Sequence, residues 1–270
     1  MRYLSILFFL LFCSSWGYRF EAKEDCSLQP QSANENYPIG VQKLMAAYPS
    51  HVAGYEDGFL IFHDQTRLLY DDGKTKTHVE LVEDPDVEDM FFYPYPKKPL
   101  STPPDPIQDP GRIRNDAFFK KMYGQTSEDV QQHLVDIDWC PQTLGQTLRV
   151  TTVNGVDKQL SKISEVLDQH PEWAEYTRAM GRGFNWRVVA GTTRLSAHSF
   201  GIALDISRSF SDYWLRDINS ADETLPVPYK NRMILDFIEI FEQHGFIWGG
   251  KWYHYDTMHF EYRPELLVEV

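Results

Sequence analysis

Short apolar runs broken by turn residues dominate the first third of the chain, and apolar positions at helical spacing dominate the middle. Gly58-Phe-Leu-Ile-Phe-His63 and Thr66-Arg-Leu-Leu-Tyr70 flank Asp64-Gln65, which predicts a hairpin, and Asp71-Asp-Gly73 supplies turn chemistry after it. An acidic stretch from Glu80 to Asp89 leads into Met90-Phe-Phe-Tyr-Pro-Tyr-Pro96, an aromatic run expected to pack against the rest of the protein. The prolines between Pro99 and Pro110 exclude a helix or central strand and predict an extended connector.

From Gly111 the pattern changes. Asn115 caps a helix carrying Phe118, Phe119 and Met122, with Gly124 as its stop. Leu148 to Val153 reads as a strand ending at the turn pair Asn154-Gly155. Leu160, Ile163 and Leu167 keep helical spacing, and Pro171 opens a further helix with Trp173, Tyr176 and Met180 inward. Trp186 to Ala190 reads as a strand. Residues 231–244 place Ile234, Phe237, Ile238 and Phe241 on one helical face, and Phe246 to Trp248 and Met258 to Tyr262 are strand-like. Helices come first and strands return later, an α+β layout rather than a βαβ repeat.

The extreme N-terminus follows a pattern of its own. Arg2, the apolar run Leu4 to Phe12, and then Ser15 and Gly17 read as an export signal over residues 1–17. The run is shorter than the roughly 20 apolar residues that a membrane span needs. No later stretch is long and apolar enough to span either, so an exported protein, periplasmic or secreted, is expected. Residues 18–110 then form a β- and proline-rich extension and residues 111–270 the main domain. Cys26 and Cys140 remain after signal removal, and an oxidising compartment permits a disulfide between them, with two buried thiols as the alternative. The formal charge of −13 argues against nucleic acid and anionic lipid as partners.

Two stretches carry candidate chemistry. The first is Ser196-Ala-His198-Ser-Phe-Gly201-Ile-Ala203-Leu-Asp205, and the second is Asp256-Thr-Met-His259-Phe-Glu261. Zinc enzymes use three protein ligands and leave a fourth position for water. A loop histidine at 198 and a strand carboxylate at 205 can converge on one ion, with the small residues Gly201 and Ala203 letting the backbone pass close to metal or substrate. Asp205 sits in the apolar segment Ile202 to Ile206 and needs a partner there, either a cation or structural hydrogen bonds. His259 supplies the third ligand. Asp256 is the best-placed carboxylate to take a proton from water, with Glu261 as the runner-up. Period two puts Glu261 on the strand face of His259, where it can orient the imidazole. His244 reads as a helix C-terminal residue and His254 as a residue at the rim of the site.

Ser-x-His-x-x-Gly-x-Ala-x-Asp followed by Asp-x-x-His-Phe-Glu resembles the zinc peptidases that cut D-amino-acid-containing peptidoglycan stems. These are the VanY-type D-alanyl-D-alanine carboxypeptidases and the related L-alanyl-D-glutamate endopeptidases. Gly245-Phe-Ile-Trp-Gly-Gly-Lys-Trp252 resembles the family's approach to its second motif, and the likeness spans about residues 183 to 266. It implies helices packed on a small antiparallel sheet, as in the similar hedgehog signalling domain. It also implies zinc held by His198, Asp205 and His259, with Asp256 as base. An upstream arginine that stabilises the developing oxyanion is implied too, for which Arg187 and Arg194 both qualify. Ser196, Glu261 and Trp252 are then residues beside the ligands or the substrate, which is a peptidoglycan peptide. The carboxypeptidase is the preferred activity, and the endopeptidase or a non-catalytic zinc-binding module is the alternative. A glycosidase pair drawn from Asp205, Asp256 and Glu261 leaves both histidines unexplained.

Overall fold

The computed structural model describes residues 36–97 and 104–270. The expected signal segment, Cys26 and part of the proline connector lie outside the described residues.

Helix α1 (Ile39–Ala47) follows Pro38 and buries Gly40, Val41 and Leu44. It leads into a three-stranded antiparallel meander, β1 (Val52–Glu56), β2 (Phe59–Phe62) and β3 (Arg67–Leu69). The hairpin expected around Asp64-Gln65 is present. The Asp64 carboxylate accepts from Thr66 N at 3.1 Å and Thr66 Oγ1 at 2.6 Å, and Gln65 takes a φ of 66°. Strand β1 escapes the sequence pattern because Gly54 interrupts its alternation. In the acidic stretch, a Thr77–Glu80 capping box starts α2 (His78–Glu83).

Asn115 Oδ1 accepts from Phe118 N at 2.7 Å and starts α3 (Asp116–Tyr123), which ends at Gly124 as the sequence predicts. After α4 (Ser127–Gln131), β4 (Leu134–Trp139) and β5 (Gln146–Thr151) form an antiparallel ribbon. Helix α5 (Val156–Leu167) covers the ribbon and buries Leu160, Ile163 and Leu167. The helix expected from Pro171 is shorter than its pattern: a 3-10 turn leads into α6 (Ala174–Thr177), and the chain leaves before Met180. The Met180 N–H instead donates to Asp205 O at 2.7 Å, drawing the backbone towards the site. Trp186 to Ala190 is not a strand. It makes an isolated bridge, Val188 to Leu195, and turns back at once through Thr192 N to Val189 O.

The second half contains β6 (Ala203–Asp205), α7 (Trp214–Ile218), α8 (Leu235–Gln243), β7 (Phe246–Trp248), β8 (His259–Tyr262) and α9 (Pro264–Leu267). Helix α8 starts later than residue 231 because Asn231 Oδ1 accepts from Met233 N at 2.8 Å, a turn that precedes the helix. The strands form an antiparallel sheet in the order β6-β8-β7, with Asp205 opposite His259. The fold is α+β, with helices against small antiparallel sheets. Phe241 and Phe260 pack at 4.1 Å between ring centres where α8 meets this sheet.

Residues of the N-terminal segment enter this same core. Val41, Leu44, Tyr48, Leu60 and Met90 are buried in one apolar cluster with Phe200, Phe241 and Phe260. The aromatic-proline run packs as expected: Tyr95 OH donates to Glu242 Oε1 at 2.5 Å and accepts from Trp248 N at 2.9 Å. Among the described residues, no helix is long and apolar enough to cross a membrane.

Candidate metal centre and active-site pocket

Ser196 accepts from His198 N at 3.4 Å and opens a 3-10 turn over Ala197–Phe200 that carries His198. Gly201 closes the turn with a φ of 67°, a conformation that favours glycine, and β6 then delivers Asp205. The close approach at Gly201 is to β5 rather than to the metal site. A Cβ there would lie 2.8 Å from Leu134 Cδ2 and 3.0 Å from Thr151 N. The expectation that Gly201 clears room for metal or substrate is therefore corrected: it clears room for the ribbon.

The register of β6 and β8 brings the three candidate ligands together. His198 Nε2, an Asp205 carboxylate oxygen and a ring nitrogen of His259 converge within 4.8 Å of one another. Asp205 Oδ1 lies 3.2 Å from His198 Nε2 and 3.0 Å from His259 Nδ1. The outward nitrogens of both rings are pinned from behind. His198 Nδ1 faces Gly183 O at 2.8 Å, and His259 Nε2 faces Glu261 Oε2 at 3.0 Å. With those nitrogens donating, His198 Nε2 and His259 Nδ1 turn their lone pairs towards Asp205, the arrangement a metal requires of neutral imidazoles. His198 Nε2 is buried and has no partner of hydrogen-bonding geometry. The donor set and this orphaned nitrogen fit a zinc ion.

The electrostatics match that description. Burial alone would raise the Asp205 carboxyl, but the two histidines hold it far below the ordinary carboxylate range. Burial lowers His259, yet Asp205 and Glu261 on either side raise it to about 10, so a positive charge is favoured at this point. Asp256 sits one turn before His259. Burial, with a contribution from the Asp205 charge, raises it to about 7, and its Oδ1 has no hydrogen-bond partner. A cation beside it would pull it back towards ionisation.

Asp205, Asp256 and His259 open into a cavity of about 410 Å³, whose wall includes Ser196, Trp252 and Tyr213. Trp252 is buried 5.7 Å from the His259 ring and anchored by Nε1 to Pro110 O at 2.7 Å. Trp248 instead lies in the core. Arg187 and Arg194 both line the cavity, but differently. Arg194 is buried with Nε 3.3 Å from Glu83 Oε1, and burial beside Arg114 and Arg112 lowers it to about 10. Arg187 is exposed and donates to Val188 O at 3.4 Å, with no acidic partner among the described residues. His244, with Nδ1 2.7 Å from Ile240 O, caps the end of α8 as expected. His254 lies in the wall of the cavity and is only 1% exposed, because Asp109 binds both its backbone N and its Nδ1.

Sequence reasoning missed several contributors. Gly183 acts through its carbonyl and so leaves no residue-type signal. Arg112, Arg114, Tyr213 and Glu223 reach the cavity from distant segments, and nothing local separates them from surface residues.

Residues 190–262, which include both motifs and Arg194 but not Arg187, match the family model described as D-alanyl-D-alanine carboxypeptidase. No curated protein and no solved structure gave a match. The segment that carries both motifs thus resembles the D-alanyl-D-alanine carboxypeptidase family, and a peptidase is the activity that this resemblance supports.

Proposed function

We propose that the protein is a zinc-dependent peptidase of peptidoglycan stem peptides, acting as a D-alanyl-D-alanine carboxypeptidase in the periplasm or outside the cell. The observation that carries the reading is the convergence of His198, Asp205 and His259, with Asp256 in the same cavity. His198, Asp205 and His259 would hold a zinc ion, which would supply Lewis-acid polarisation of the scissile carbonyl and of the attacking water.

The remaining roles fall to this chain's own groups. Asp256, half-buried and with a free Oδ1, takes the proton of the attacking water and passes it to the leaving amine. Glu261 and Gly183 fix the orientation of the two histidines. Arg187 is the better of the two arginines for the developing oxyanion, because Arg194 is engaged by Glu83. Arg112, Arg114 and Arg194 are already engaged by Glu223, Glu261 and Glu83, and the preference for the carboxypeptidase over the endopeptidase rests on the likeness of the motif segment to the D-alanyl-D-alanine carboxypeptidase family model.

Digestion of synthetic stem pentapeptides, followed by mass spectrometry, tests the reading. The expected result is zinc-dependent release of one D-alanine. Cleavage between L-alanine and D-glutamate would move the assignment to the endopeptidase. No cleavage by zinc-loaded protein, or cleavage undiminished after chelation, would overturn it.

A further inference from the structure

A second cluster of metal-ligating groups lies beside the same cavity, whose wall includes two of its members, Glu223 and His254. His78 at the start of α2, Glu223 in the loop after α7, and His254 before β8 each offer one ligand atom, and these atoms lie within 4.8 Å of one another. None of the three belongs to the His198–Asp205–His259 set.

The hydrogen bonding of His254 is informative. Its Nδ1 lies 2.7 Å from Asp109 Oδ2, and its backbone N donates to Asp109 Oδ1 at 2.9 Å. Asp109 is fully buried against Arg112, so it is an ionised acceptor and Nδ1 of His254 is the donor. In the neutral ring that leaves Nε2 as a lone pair. This atom is buried with no hydrogen-bond partner, on a residue only 1% exposed. His78 stacks on it, with ring centres 5.9 Å apart and planes inclined by 20°. His78 Nε2 is likewise buried without a hydrogen bond, 3.4 Å from Glu223 Oε2. Two histidine nitrogens without hydrogen-bond partners therefore meet a carboxylate oxygen that is otherwise held by Arg112.

The charge around the cluster admits a cation. Asp109 and Glu223 contribute two negative charges, and Arg112, which pairs with both, contributes one positive charge. The Asp109–His254 pair repeats the carboxylate-histidine arrangement that orients metal-binding imidazoles. Two imidazoles and a carboxylate suit zinc or another late first-row divalent ion better than magnesium or calcium, which prefer all-oxygen sites.

We infer that His78, Glu223 and His254 form a second binding site for a divalent transition-metal ion. The ion ties α2 and the loop after α7 to the segment that leads into β8. Helix α2 also carries Glu83, the partner of Arg194, so the second ion holds a wall of the active-site cavity in place. The site does not depend on the proposed catalysis, and the two ideas can fail separately.

The test is metal stoichiometry of the full chain, chelated and then reloaded with Zn²⁺ or Co²⁺ and freed of excess by gel filtration. The wild type should hold two equivalents. Glu223→Gln and His78→Ala, at less buried positions than His254, should each hold one, and His254→Gln should agree with them. His198→Ala combined with His259→Ala should keep one equivalent of Co²⁺ with visible absorption, and adding Glu223→Gln should remove it. One equivalent in the wild type that persists in both Glu223→Gln and His78→Ala would overturn the second site. So would two equivalents retained in both variants. A single equivalent lost in these variants but kept in the His198→Ala, His259→Ala protein would support the second site and contradict the catalytic one.

Discussion

Arg114 reaches Glu261 across 147 residues of sequence, Nη1 to Oε2 at 2.9 Å, and the same oxygen faces Nε2 of His259 at 3.0 Å. The other Glu261 oxygen accepts from Arg263 Nη1 at 2.9 Å. Arg263 Nε continues to Glu265 Oε1 at 2.5 Å, and Tyr48 OH on the other side donates to Glu265 Oε2 at 2.6 Å. A buried chain of alternating charges thus runs from the end of α1 to a candidate zinc ligand. Burial would raise Glu261, but Arg114, His259 and Arg263 hold it well below the usual carboxylate range, so it is an acceptor that keeps His259 Nδ1 aimed at Asp205.

Replacing Glu261 with Gln removes the charged acceptor behind His259. Zinc affinity should fall by about 10–100-fold, measured by competition with a chromophoric chelator. Unchanged affinity would mean that Glu261 does not position the ring.

Arg263 is fully buried between Glu261 and Glu265. Arg263→Met leaves two buried carboxylates short of their common partner and should cost about 3–5 kcal/mol of stability. The midpoint of urea unfolding measures this, and a change within experimental error would show that the chain of charges carries no net stabilisation.

Gly201→Ala places a Cβ against Leu134 and the Thr151 backbone in a left-handed conformation. The backbone alone should cost about 1–2 kcal/mol, and the turn that carries His198 should shift. Lower Tm together with weaker zinc binding is the expected pair of results. Lower Tm with zinc binding intact would separate Gly201 from the metal site.

Cys140 is buried and has no disulfide partner among the described residues, and burial and Asp168 raise its thiol pKa to about 11. A raised thiol stays protonated as pH climbs, and at pH 8 only about one part in a thousand is thiolate. Iodoacetamide at pH 8 should leave Cys140 unlabelled in the native protein and label it in denaturant, as read by peptide mass spectrometry. Labelling in denaturant only after reduction would reveal a disulfide.

The candidate metal-binding part of the site is legible because each motif is compact: a few residues fix a 3-10 turn, a short strand and the position of His198 relative to Asp205. The capped helix α3 and the hairpin at Asp64 were legible for the same reason, since Asn115 and Asp64 act on neighbours two or three positions away. What the sequence hid is long-range. Arg112 and Arg114 look like surface residues until Glu223 and Glu261, each more than 100 residues distant, are brought against them. The misread strand at Trp186 to Ala190 has the same origin. Its residues are mostly apolar and β-branched, but Arg187 N donates to Ser199 Oγ and the backbone serves the His198 turn instead of a sheet.

The most direct measurement is the Asp256→Asn variant, assayed for bound zinc and for D-alanine release from a stem pentapeptide. Asp256 lies in the cavity but outside the converging set, so zinc content should equal that of the wild type. Turnover should fall by about 10²–10⁴-fold, the usual contribution of a positioned proton acceptor. Full zinc with undiminished release would contradict the assignment of Asp256 as the base.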